Sequence, residues 1–384
     1  MKNLKPLTQL DKKSDSNVNV GAALMAAALS LPLAGNVHAE TAPEHGVVSI
    51  KYLDYLDSQP DRDRIRVKAT AFRVLAPITD EWAVSAGIVT DSITGASPAF
   101  HTFAITRLRD YRRAADADVT RYFEHGTLTF GANVSSESDY LSRGFSLQGS
   151  LSTEDKNTTF TAGAGFVNDE INPNNKVVVG ERKHVSDFVL GVTQVVTQND
   201  IVQLTLGYSD GSGYFSDPYK FSDERPRKRN SGTLVARWNH HLPSTSGTLR
   251  WNYRYYNDNW GINSHTLGTE YVQPLGNGWT ITPSLRYYTQ TAAKFYIDAD
   301  PALFPFLPSP PDGAVNYSLD QRLANFGGIT YGLKVTKQLA EKWTLDLKFE
   351  HYTQRAGLQI FGNGSPDLAT FRARNFYVGI ARQF

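Results

Sequence analysis

The feature that most constrains this chain is a two-residue alternation of apolar and polar side chains, sustained over segments of about 10 to 16 residues. In Gly126–Ser136, Leu128, Phe130, Ala132 and Val134 share one face, and Thr127, Thr129, Gly131, Asn133 and Ser135 the other. Val202, Leu204, Leu206 and Tyr208 oppose Gln203, Thr205, Gly207 and Ser209 in the same way. Leu249, Trp251, Tyr253 and Tyr255 oppose Arg250, Asn252, Arg254 and Tyr256. Period two belongs to strands whose two faces meet different surroundings. A soluble sandwich also alternates, but over shorter strands with an inner face rich in Val and Ile. Segments of this length with aromatics near their ends match tilted crossings of a bilayer.

Counting gives about sixteen segments, at 47–57, 62–77, 81–92, 110–122, 126–136, 138–152, 158–168, 183–196, 201–212, 228–241, 246–258, 260–273, 278–291, 323–338, 343–355 and 368–384. The links between them alternate in kind. Thr79-Asp80, Glu124 to Gly126, Glu154 to Asn157, Asn199-Asp200, Gly276 to Gly278 and Ala340 to Lys342 are tight; 93–109, 169–182, 213–227, 292–322 and 356–367 are long. Short periplasmic turns and longer outer loops are the habit of single-chain outer-membrane barrels. The expected fold class is therefore all-β: a transmembrane, antiparallel, up-and-down barrel of fourteen to sixteen strands with both termini periplasmic.

Composition agrees. The 384 residues include Tyr 19, Phe 20, Trp 6 and Gly 30, with no Cys and a net charge of +1. No apolar run reaches the ~18 residues a spanning helix needs, and without a basic surplus a nucleic-acid partner is not expected. Both Met residues, Met1 and Met25, lie in an N-terminal stretch that reads as an export signal. Lys2, Lys5, Lys12 and Lys13 precede a short apolar run at 20–34, and Val37-His38-Ala39 is a small-x-small cleavage pattern. The expected division is a signal peptide at 1–39 and a barrel at 40–384, delivered to the bacterial outer membrane.

Trp279 and Trp343 each follow a tight turn, and their segments close on Tyr288-Thr289-Gln290 and Tyr352-Thr353-Gln354. The Trp residues are expected in the periplasmic girdle and the Tyr residues near the outer one, since amphipathic rings favour the interface. Phe384 ends the chain with Phe376, Val378 and Ile380 on its face, resembling the signal that the barrel assembly machinery reads. Arg382 shares that face, where its guanidinium can snorkel to headgroups.

Tyr52 to Pro60 leading into Asp63-Arg64-Ile65-Arg66-Val67, then Asp91-Ser92-Ile93-Thr94-Gly95-Ala96-Ser97-Pro98, and Ser136 to Ser142 together resemble an outer-membrane barrel family of unknown function. The likeness is strongest over the first hundred mature residues. It implies the compartment and the fold but no mechanism. Its relatives sit beside small lipoproteins and flavin-attaching enzymes, which implies a periplasmic lipoprotein or redox partner.

Parity sends Arg66, Lys68, Asp116, Asp118, Arg250, Arg254, Arg286, Asp346, Lys348 and Glu350 toward the lumen. Both signs are present, so strong anion or cation selectivity is not expected. In an open pore such groups create a transverse field; in a closed lumen they pair. The link between Thr291 and Gln321 carries Pro301, Phe304, Pro305, Phe306, Leu307 and Pro308, a run with little reason to stand in water, and is expected to be a gate or docking element. Outer-rim charges around Asp57, Asp63 and Asp91 are candidates for lipopolysaccharide or divalent ions. No His spacing suits a metal site, and no phosphate cradle or calcium loop is present, so neither catalysis nor a cofactor is expected. The functional expectation is a conduit for small polar solutes, with a non-conducting scaffold for a periplasmic lipoprotein as the alternative.

Overall fold

The computed structural model describes residues 41–60, 62–96, 107–220, 223–298, 310–366 and 368–384. Its strands are β1 Val47–Gln59, β2 Arg62–Thr79, β3 Trp82–Ala96, β4 Arg107–Phe123, β5 Gly126–Ser136, β6 Tyr140–Ser152, β7 Thr158–Ile171, β8 Glu181–Val195 and β9 Asp200–Gly213. There follow β10 Asp223–Glu224, β11 Lys228–Leu242, β12 Gly247–Asp258, β13 Asn263–Gly276, β14 Trp279–Gln290, β15 Tyr317–Ser318, β16 Phe326–Ala340, β17 Trp343–Arg355 and β18 Phe371–Gln383. Sixteen of them close a barrel in the order β1-β18-β17-β16-β14-β13-β12-β11-β9-β8-β7-β6-β5-β4-β3-β2, while β10 and β15 pair separately. Closure comes from antiparallel β1 and β18, in register from Val47↔Gln383 to Ser58↔Arg372.

One end of the barrel carries the start of β1, the end of β18 and the tight turns. The turn from β13 to β14 is Asn277-Gly278 with φ of 49° and 75°, the left-handed pair that lets a two-residue hairpin follow the sheet twist. The other end carries the long links, so it faces outward from the cell.

Across the barrel wall the alternation places large apolar side chains outside. Phe130 stands opposite Leu147, Leu190 opposite Leu206, and Leu206 opposite Leu234 on neighbouring strands. Leu206 is 53% and Leu147 51% exposed, a surface that water would not tolerate and lipid requires.

Above the lipid the pattern inverts, which corrects two sequence-based placements. Arg66 and Lys68 lie on the outer face, in line with Thr70 and Phe72, because Phe72 pairs with the outward Ile50 and Ile88. The apolar residues between them, Ile65, Val67 and Ala69, are instead buried inside with Leu53, Tyr55, Ile93, Phe371 and Ala373. The cause is length: β2 has 18 residues, against the ~9–11 a tilted strand needs to cross the hydrocarbon. Its distal half stands in water, so the outside turns polar and the inside packs. The same inversion moves Tyr288 and Tyr352 away from the expected outer girdle. They face inward against Phe326 and Phe371, and Tyr352 donates to its own i+2 Gln354 at 3.1 Å.

Candidate functional site

At mid-height the inner wall is polar and hollow. Arg73, Asn133, Gln148, Asp187, Arg237, Arg250 and Arg286 project inward yet remain solvent-exposed, as they can only if the lumen holds water. The wall from β5 to β9 is lined by small neutral groups, among them Thr129, Ser146, Thr161, Thr205 and Gly207. The acids are largely held: Asp116 by Arg73 at 2.8 Å, Asp346 by Lys334 at 3.1 Å, and Glu350 by Lys348 at 2.9 Å.

Toward the outer end the lumen is closed by a cap built from the β9–β11 and β14–β16 links. Its apolar half gathers Trp260, Ile262, Ala293 and Leu323, with Phe215, Tyr256, Phe295 and Tyr296 packed against them. Trp260 is held by Phe215 and Phe295 edge-on, by Arg229 stacked 4.3 Å above its ring, and by a hydrogen bond donated to the Lys228 carbonyl at 2.9 Å. Gly213, at the exit of β9, has φ of 121°, and a Cβ there would overlap the Arg182 carbonyl oxygen, so only glycine lets the link leave the wall.

The polar half centres on Asp320, 1% exposed. Lys220 reaches it at 2.8 Å and Arg225 at 2.7 Å, and Arg322 donates through Nε at 2.7 Å. Asp223 and Asp217 balance the outer sides of Arg225 and Arg322 at 3.0 and 3.2 Å. β10 and β15 pin the two links together beside this knot, which also caps the short 3-10 turn Gln321–Leu323. Burial alone would raise the Asp320 carboxyl. Arg322, Lys220 and Arg225 outweigh burial and hold it well below the usual carboxylate range.

The cap is moored at several points of the rim. Gln59 at the β1–β2 tip bonds Gln321 at 2.9 Å, and Asn325 meets Ser365 of the β17–β18 link at 3.0 Å. On β14, Gln290 donates to the carbonyls of Arg322 and Ala324 at 3.0 and 2.7 Å. On the far side Tyr219 donates to Asp139 and accepts from the Asn174 amide at 2.9 Å. These contacts, on opposite sides of the rim, hold the described part of the cap across the mouth.

The β5–β6 turn beneath it carries an acid poised near neutrality. Glu137 lines a cavity of about 120 Å³ with Asp139, Tyr140, Lys183, Tyr219 and Arg322. Burial, then the neighbouring Asp110, push its carboxyl up to about 7 against the pull of Arg112, with Asp139 and Asp91 adding to the rise. A carboxyl raised on folding stabilises in its protonated form, so its contribution is complete below about 4.5 and is lost as pH rises through about 7. Amide exchange at residues 137–139, corrected for intrinsic rate, is expected to be more than about tenfold faster at pH 8 than at pH 5. Equal corrected rates would refute this assignment.

A family profile described as a protein of unknown function, DUF3570, matches residues 21–107, 100–181 and 174–375. The chain belongs to this family. Among curated proteins nothing matches it. Among solved structures, a bacterial polysaccharide outer membrane secretin superposes with a TM-score of 0.53 at 8% identity, covering 88% of this chain and 98% of that one. OccK11 (OpdR) of Pseudomonas aeruginosa superposes with a TM-score of 0.44 at 10% identity, covering 90% and 98%. The DUF3570 chain is thus an outer-membrane β-barrel in fold.

Within the DUF3570 barrel, Asp116, Asp118, Arg250, Arg254, Arg286, Asp346, Lys348 and Glu350 lie on the inner strand face. Pro301, Phe304, Pro305, Phe306, Leu307 and Pro308 lie outside the described residues, as does the 1–39 segment. Their flanks, 292–298 and 310–325, help build the cap. Trp279, Trp343 and Phe384 stand on the outer wall at the tight-turn end, 46%, 39% and 55% exposed. Trp82 joins them, and a cation on the next strand stacks over each Trp: Arg121 over Trp82 at 5.4 Å, Lys337 over Trp279 at 4.9 Å and Arg382 over Trp343 at 5.4 Å. Each cation is the register partner of its Trp, so Arg382 follows a device that recurs around the girdle. Sequence reading missed Trp82–Arg121 for want of a matching motif, and missed the Asp320 knot because its members sit in aperiodic links.

Proposed function

We propose that this barrel is a gated conduit for small polar solutes, exported by its 1–39 signal and inserted through its C-terminal strand. The observation that carries the reading is the contrast along the axis: inward polar side chains such as Arg237 and Gln148 are solvent-exposed at mid-height, while Asp320 above them is sealed. A barrel of sixteen strands is wide enough to leave an aqueous channel when side chains do not fill it. The cap is loop-built, ionic and penetrated by a cavity, which suits an element that moves. The outward basic residues Arg66, Lys68, Arg372 and Arg374, just above the apolar band, suit lipopolysaccharide phosphates.

The closed cap also favours a second reading, a non-conducting scaffold docked to a periplasmic lipoprotein. In a planar bilayer the purified barrel is expected to conduct intermittently, and steadily once Asp320→Asn loosens the cap. Silence of both forms, each shown to be folded by heat-modifiable migration, would overturn the conduit and leave the scaffold.

A further inference from the structure

Sequence parity counted lumenal charges of both signs; the register segregates them. Arg237 pairs with Asn252, Asn252 with Gly268, and Gly268 with Arg286, which sets these four residues in one row across β11, β12, β13 and β14. Arg250 and Arg254 flank Asn252 two residues to either side on β12. Four guanidinia therefore share a patch about 13 Å tall and about 14 Å wide. At its centre Gly268 contributes no side chain and the Asn252 amide lies over it, so neutral groups stand between the arginines.

None of the four makes an ion pair among the described residues. Arg237 donates to Gln203 at 2.7 Å, Arg286 to Thr330 at 3.1 Å, and Arg254 stacks over the Tyr256 ring at 5.1 Å. Glu270, the register partner of Arg250, is the one carboxylate on the inner faces of these four strands at this level. Elsewhere Asp116, Asp346 and Glu350 are neutralised by cations of their own. β4, with Asp116 and Asp118, stands eight strands from β13 in the ring of sixteen, diametrically across the lumen. Among the described residues the lumenal guanidinia without an ion pair are thus gathered on one wall.

Resting on the conduit reading, we propose that this arginine wall is a solute-binding site, and that the solute is a small molecule bearing an oxyanion group, carboxylate or phosphate. A guanidinium presents paired N–H donors that match both geometries, and in a narrow aqueous lumen its field is screened less than on an open surface. The wall of β9 to β5, which runs on from β11, is lined mainly by Ser, Thr and Gly and adds little charge beside the arginines.

The test is reversal potential under a KCl gradient, read on the Asp320→Asn barrel and on the same barrel carrying Arg237→Gln, Arg250→Gln and Arg286→Gln. A chloride preference of several-fold is expected in the first and its loss in the second, with Thr205→Gln leaving it unchanged. Cation preference, or an anion preference that the triple variant does not move, overturns this inference and leaves the conduit standing. A folded, loosened barrel that never conducts overturns both. Line broadening of inorganic phosphate in phosphorus NMR gives a second reading on the wild-type barrel in micelles, which needs no open mouth. Broadening that the triple variant abolishes is expected, and its absence from the wild type at millimolar phosphate refutes the site. Succinate added as a competitor separates the two oxyanion classes: it restores the sharp phosphate line if the site also takes carboxylates and leaves it broad if the site takes phosphate alone.

Discussion

Replacing Asp320 by Asn is expected to unlock the cap. The amide keeps the volume but removes the charge that holds Lys220, Arg225 and Arg322 together, leaving three buried cations to repel one another. Breaking a buried pair by deleting one partner costs about 3–5 kcal/mol, and here three partners are orphaned by one change. The readout is tryptic cleavage after Lys220, whose side chain is 12% exposed. Cleavage is expected to accelerate by more than an order of magnitude while the barrel keeps its heat-modifiable migration. Unchanged cleavage would show that the apolar cluster around Trp260 carries the cap without the knot. Acid should act in the same direction. A carboxylate held low by its partners stabilises above its unfolded value of about 3.8 and loses that contribution as pH falls below it. Glu137 has the opposite sign, so the cap is most secure in mildly acidic medium.

Leu206→Arg and Thr205→Arg, adjacent on β9, are expected to differ sharply. Leu206 stands on the lipid face between Leu190 and Leu234, and an arginine near the bilayer midplane costs about 2–4 kcal/mol. Thr205 faces the lumen, where a guanidinium stays hydrated and the cost is expected to be near zero. Urea unfolding in lipid vesicles measures both. Equal losses would refute the assignment of the two faces.

The strand segments, their number and the alternation of tight and long links were legible because a bilayer imposes a length, a period of two and a lipid-facing apolar band on every crossing. The tight-turn end was legible too, through Asn277-Gly278 and the Trp residues that follow such turns. Arg66, Lys68, Tyr288 and Tyr352 were misplaced for one reason. Parity tells which residues share a face but not where along a strand the outside changes from lipid to water, and beyond that height the polar face turns outward. The lumenal charges were identified by type but not by pairing, since only the register brings Arg73 to Asp116 while leaving Arg250 and Arg254 without an ion pair among the described residues.

The cap lay furthest from sequence reasoning. Arg225 and Asp320 are 95 residues apart in links without periodicity, and neither is unusual as a residue type in a loop. The amino-acid sequence by itself determined an outer-membrane barrel of fourteen to sixteen strands, because period, length and turn chemistry are local and each strand meets the same lipid. The tertiary structure alone decided that a cap lies across the outer mouth and that Arg237, Arg250, Arg254 and Arg286 make no ion pair among the described residues, because both follow from which distant side chains the closed ring brings together.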